Sequence, residues 1–154
     1  MKICSCAVIG QHPTRFKFKY HEYMTSCKRI KKRMRDVFAT LYQRGVRCFF
    51  IGGALGVDMW AGEILLEMQK REEYQELRVV MVCPFPGHDV RWDPKSRARQ
   101  QKLREGCAGL LMGAEQPGGT GYKKRTEYMM ELADYAVVVY DDAPECYSGV
   151  KTAI

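Results

Sequence analysis

The sequence predicts an α/β domain built on an open parallel sheet with helices on both faces, spanning residues 1–154 as a single unit. Two observations carry that prediction. Short apolar runs alternate with stretches of helical periodicity, and most of the runs are apolar at consecutive positions, as expected of strands covered on both faces. A third observation, a glycine cluster directly after the second run, points to where such a sheet would hold a ligand.

Taken in order, Ile3 to Gly10 is a short apolar run closed by glycine and reads as the first strand. Ser26 to Arg44 reads as a helix, because Ile30, Met34, Val37, Phe38 and Leu41 recur on one face and Gly45 follows as a C-terminal stop. Arg47 to Gly52 is the second strand. Val57, Trp60, Ala61, Ile64, Leu65 and Met68 then form the apolar stripe of a second helix. Leu77 to Cys83 is the third strand, and Asp93-Pro94 opens a polar helix running to about Glu105. Gly109 to Met112, a helix over Lys124 to Leu132, and Tyr135 to Tyr140 complete the alternation. A further helix is expected after the fifth strand, and Ile154 falls a few residues into it. The expected ligand loops follow each strand: Gly10 to Pro13, Gly52 to Asp58, Pro84 to Trp92, Met112 to Tyr122 and Asp141 to Gly149.

The bulk composition narrows the partners. No apolar run approaches the ~20 residues needed to span a bilayer, and "MKICSCAVIG" reads as a strand rather than a leader. A cytoplasmic location and no membrane partner are expected. The seven cysteines are odd in number and show no CxxC pair and no Cys/His ligand spacing, so reduced, mostly buried thiols are expected, with no metal site. A formal charge of +7 with a pI near 9.1 favours an anionic partner, whether nucleotide, nucleic acid or acidic protein. Self-association is left open.

The stretch "FFIGGALGVDMWAGE" from Phe49 to Glu63 carries the main functional signal. A strand ending at Ile51, then Gly52-Gly53-Ala54-Leu55-Gly56, then an amphipathic helix, places backbone N–H groups at a positive helix terminus, a natural cradle for an anion. The turn is neither a Walker A loop nor the GxGxxG dinucleotide fingerprint. Asp58 in the first helical turn competes for the same N–H groups. It can cap the helix or accept hydrogen bonds from ribose hydroxyls.

"FIGGALGVDMWAGEILLEM", with "SCKRIKKRMRDVFATLYQRG" before it and "VCPFPGHDVRW" and "YKKRTEYMMELADYAVVVYDD" after it, resembles the YpsA-like branch of the SLOG superfamily. That superfamily has a Rossmann-like fold and is similar to the DNA-processing protein DprA and to the cytokinin-activating LOG enzymes. The resemblance implies a nucleotide-type ligand, of which ADP-ribose is an example, at the carboxyl edge of the sheet. It implies contacts from Gly10 and His12 after the first strand, where the family's GHRP is here Gly10-Gln11-His12-Pro13. It further implies contacts from Gly52, Gly53, Ala54, Gly56 and Asp58, with Ile51 in place of the family's serine. Pro84, Phe85, Trp92 and Arg125 match family positions. Gly149, in Ser148-Gly149-Val150, stands where relatives carry a second glycine turn. Arg125 would neutralise phosphate charge, Phe85 and Trp92 would offer aromatic faces, and Asp58 or Asp141 would meet ribose hydroxyls.

Candidate catalytic groups are few. "PGGTGYKKR" from Pro117 to Arg125 superficially matches the PGGxGTxxE signature of LOG enzymes, but Tyr122 replaces the threonine and Arg125 the glutamate. It reads as a flexible loop able to fold over a ligand. Glu63 and Asp58 are not placed as a carboxylate pair, and His12, His21 and His88 have no matched nucleophile, so no triad can be assembled. Three readings stand. The first is a protein that holds a nucleotide-type ligand without changing it. The second is a LOG-type nucleotide N-glycosidase using Glu63 or Asp58. The third is a DprA-like nucleic-acid binder, suggested by the basic and aromatic stretch "TRFKFKYHEYMTSCKRIKKRMR".

Overall fold

A computed structural model describes residues 4–139 of the protein. Strands β1 (Cys4–Gly10), β2 (Val46–Ile51), β3 (Arg78–Cys83), β4 (Gly109–Met112) and β5 (Tyr135–Val139) form one all-parallel sheet in the order β4-β3-β2-β1-β5. Helices α1 (Thr25–Gln43), α2 (Val57–Gln69), α3 (Pro94–Gly106) and α4 (Gly119–Leu132) connect them. The chain steps from β1 through β2 and β3 to β4, and α4 then carries it back to lay β5 on the other side of β1. In open sheets a reversal of this kind leaves a crevice at the carboxyl ends of the strands.

The consecutive apolar positions serve two layers, because neighbouring residues of a strand point to opposite faces. Cys6 and Val8 of β1 join Phe49, Ile51, Val79, Met81 and Cys83 in a core with α1 and α2, and Leu103 adds α3. Ala7, Ile9, Phe50 and Val82 face the other way and are met by Met129 of α4. Trp60 of α2 packs against Phe16 and Phe18, at ring-centroid distances of 5.5 and 5.7 Å. This contact pins the segment between β1 and α1 onto α2 and so sets the course of the chain just after β1. Cys6 and Cys83 behave as small hydrophobes: burial pushes the Cys6 thiol up to about 12 and the Cys83 thiol up to about 11, which keeps both protonated near neutral pH.

Most element boundaries agree with the sequence expectation to within a residue or two. Asp93 caps α3 as anticipated, its side chain accepting from Ser96 N at 3.1 Å. The exception is α4, which begins at Gly119 and not at Lys124, so the second half of the expected lid loop is helix. The reason is steric. A Cβ at Gly121 would strike the carbonyl oxygen of Pro84, and one at Gly113 would strike that of Gly121. Glycine here lets the first turn of a helix press against the end of β3, and the same glycines read as a loop in sequence. The expected contacts at Asp141 and Gly149, and the helix expected after the fifth strand, lie outside the described residues. Among the described residues, no helix is long and apolar enough to cross a membrane.

Candidate functional site

The turn between β2 and α2 is clamped from several sides by side chains. Gly56 takes φ +85°, and a Cβ there would sit 2.7 Å from the Gln11 carbonyl oxygen, so only glycine closes the approach of this turn to the end of β1. Asp58, 6 % exposed, turns back onto the turn that precedes it. Gly52 N donates to its Oδ1 at 2.9 Å and Ala54 N donates to its Oδ2 at 3.3 Å. On the carbonyl side, Arg125 Nη1 donates to Gly52 O at 3.1 Å. His88 Nε2 and Gln100 Nε2 both donate to Gly53 O, at 2.8 and 3.1 Å.

Two of the backbone N–H groups expected to cradle a phosphate, those of Gly52 and Ala54, are therefore taken up by the protein's own Asp58 carboxyl. Burial pushes the Asp58 carboxyl up, while Arg125, the two N–H groups and His88 pull it back.

Beside the turn lies a cavity of about 300 Å³, bounded by the carboxyl ends of β1 and β2 and by α4. Of the residues predicted to contact a ligand, Gly10, His12, Gly52, Ala54, Asp58 and Arg125 line it. Gly53, Gly56, Pro84, Phe85 and Trp92 do not. Phe85 and Trp92 instead build a chain of edge-to-face rings behind the turn. His88 and Trp92 lie 5.5 Å apart, Phe85 and His88 6.4 Å, and Phe85 and Tyr122 5.6 Å. The chain ends at Tyr122, which is the aromatic ring that lines the cavity.

Sequence reasoning missed the wall contributed by α4. Tyr122, Arg125, Thr126 and Met129 line the cavity together, and their i, i+3, i+4, i+7 spacing is one face of a helix. That spacing was available as a signal, but it becomes visible only once the helix is taken to start before Tyr122.

The polar character of the cavity is dominated by cations. Arg125 stands 5.5 Å from the centre of the Tyr122 ring, and its Nε is buried without a hydrogen-bond partner among the described residues. Arg15 lines the opposite side. Burial, reinforced by the charge of Arg15, pulls His12 below the usual histidine range, and its Nδ1 accepts from Thr14 N at 3.4 Å. His12 is thus a neutral group near pH 7. Asp58 is the acid that lines the cavity, and its oxygens are committed to the turn. Glu63 is elsewhere: Arg99 holds it by ion pairing and also engages Glu22, which Lys31 contacts in turn. Among the described residues, no group of three or more His, Cys, Asp or Glu side chains could hold a metal ion.

The sequence profile of the YspA SLOG family matches residues 6–152, nearly the whole chain. The chain belongs to that family. Its relatives include the UPF0398 protein SERP1017 of Staphylococcus epidermidis, 25% identical over 107 residues, which is 68% of this chain and 56% of the relative. The UPF0398 protein SH1465 of Staphylococcus haemolyticus is 24% identical over 103 residues, covering 66% and 54% of the two chains. The UPF0398 protein SaurJH9_1506 of Staphylococcus aureus is 21% identical over 118 residues, covering 75% and 62%. The match thus spans a little over half the length of these curated relatives. For a SLOG family member, the all-parallel sheet and the clamped GGALGVD turn agree with the Rossmann-like fold that the resemblance implied, and membership suggests a nucleotide-related function.

Proposed function

We propose that this SLOG protein holds a phosphate-bearing nucleotide or nucleotide-derived molecule in the cavity between the carboxyl ends of β1 and β2 and helix α4. The observation that carries the proposal is Arg125, a cavity-lining guanidinium whose buried Nε has no partner among the described residues. A buried donor left unpaired is costly, and a phosphate oxygen is the acceptor a guanidinium matches best. Tyr122 beside it supplies a flat face for a base or ribose. The cavity, at about 300 Å³, lies at the small end of the range for ligand sites, which suits a mononucleotide. A larger ADP-ribose-type ligand would have to extend beyond it toward solvent.

What favours holding over hydrolysis is the state of the carboxylates. Cleaving an N-glycosidic bond requires a carboxylate able to activate water or to stabilise the sugar cation. Both oxygens of Asp58 accept backbone N–H groups, and Glu63 is paired with Arg99 away from the cavity.

The test is mass spectrometry of small molecules released when purified protein is denatured, run alongside thermal-shift measurements over AMP, ADP, NAD and ADP-ribose. A phosphate-bearing nucleoside compound that is released, or that raises the melting temperature, is expected. Neither a released compound nor a shift with any of the four would sink the proposal.

A further inference from the structure

We propose that the solvent face of α1, together with the aromatic turn that leads into it, binds single-stranded nucleic acid. Arg29, Lys32, Arg33 and Arg44 border an open trough along α1, on the side away from the core residues Cys27, Met34 and Phe38. All four are exposed, and Asp36 is the single acid among the lining residues. Other cations of the fold have partners within it: Lys31 with Glu22, Arg99 with Glu22 and Glu63, Arg47 with Glu76, and Arg104 with Asp89. Among the described residues, none of the four trough cations forms an ion pair. From Arg29 to Arg44 the helix rises roughly 22 Å, a row long enough to meet several successive backbone phosphates.

Charge alone would suit any polyanion. The second observation is the segment directly before α1, where Tyr23 is 69% exposed; Tyr20, also exposed, packs edge-to-face on the cavity residue His12 at 5.8 Å. An exposed ring at the start of a helix that carries a row of unpaired cations is a combination suited to single strands, because bases stack on rings while the phosphates follow the charges. A duplex, whose bases are stacked on one another, gains nothing from those rings. An acidic protein or an anionic lipid surface would use the arginines and lysines but would not need the rings to stack.

The experiment is fluorescence anisotropy with a labelled oligo-dT of about 20 nucleotides, measured across a salt series, with a matched duplex, heparin and anionic phospholipid vesicles as competitors. The variants are Arg29→Gln/Lys32→Gln/Arg33→Gln together, Tyr23→Ala, and, as a charge-removal control outside both trough and cavity, Lys102→Gln. The substituted positions are exposed, and the melting temperature of each variant is checked for an intact fold. The triple variant should bind at least tenfold more weakly at low salt, and its plot of log affinity against log salt should be shallower by about 2. Tyr23→Ala should lose about fivefold or more, while Lys102→Gln should bind as wild type does. Unchanged binding by the triple variant overturns the proposal. So does an inert Tyr23→Ala change combined with equal affinity for duplex or heparin, and so does preferential binding to the vesicles. The trough is read by oligo-dT binding and the cavity by thermal shift with the nucleotides, so failure of one and failure of the other are distinguished.

Discussion

Replacing Asp58 with alanine is expected to lower the free energy of unfolding by about 3 kcal/mol, because two backbone donors lose their acceptor at once and buried donors left unpaired cost about 1–3 kcal/mol each. For a chain of this size that corresponds to a fall in melting temperature of roughly 6–12 °C. The reasoning is local. Gly52 N and Ala54 N both point at the Asp58 carboxylate, and β2, the turn and α2 are held in one arrangement by those two bonds. Asp58→Asn should fall between alanine and wild type, since an amide presents one acceptor oxygen to two donors and sets its own NH2 group against the second. Urea denaturation reads both variants. If Asp58→Ala lies within about 0.5 kcal/mol of wild type, the carboxylate does not organise the turn.

The second large effect is expected at Arg125, where methionine keeps much of the side-chain length and removes the charge. Losing one charge-assisted contact of about 1.5–3 kcal/mol weakens a phosphate-bearing ligand roughly 10- to 150-fold, read by calorimetry on whichever nucleotide binds wild type. Arg125→Lys should recover only part of the loss, because an ammonium cannot reproduce the planar fork. The substitution also acts on Asp58, whose carboxyl burial raises above its usual 3.8 and whose shift Arg125 opposes. A carboxyl that is higher in the folded state contributes stability at low pH and loses it as pH rises through the folded value. Without Arg125 the Asp58 carboxyl rises further. The stability deficit of Arg125→Met should therefore widen as pH is raised from about 4 upward.

The layered architecture was legible because the evidence for it is distributed. Residues such as Val8 and Ile9, or Phe49 and Phe50, are apolar in succession only if both faces of the strand are covered, and the two cores divide them in that way. The place of the cavity was legible for a topological reason: loops after parallel strands meet at one edge, and Gly10, His12, Gly52, Ala54 and Asp58 meet there. What sequence could not supply was which partner each polar group would choose. Asp58 had two plausible acceptor roles, and the geometry selects the backbone, since its carboxylate folds back six residues to reach Gly52 N. Phe85 and Trp92 fell in the expected loop, yet ring packing on His88 turned both away from the cavity. The wall formed by Tyr122, Thr126 and Met129 was hidden because Gly118, Gly119 and Gly121 read as loop, although Gly121 sits in the first turns of α4, where its close approach to Pro84 leaves no room for a Cβ.

The most direct test of the cavity's role is a map of amide chemical shifts during titration with AMP, NAD and ADP-ribose. At least one of the three should produce saturable shifts at Gln11, His12, Ala54, Tyr122 and Thr126, together with the Arg125 Nε–H signal, and these should be lost in Arg125→Met. Saturable binding whose shifts fall elsewhere on the protein, with those residues unmoved by all three compounds, would contradict the account.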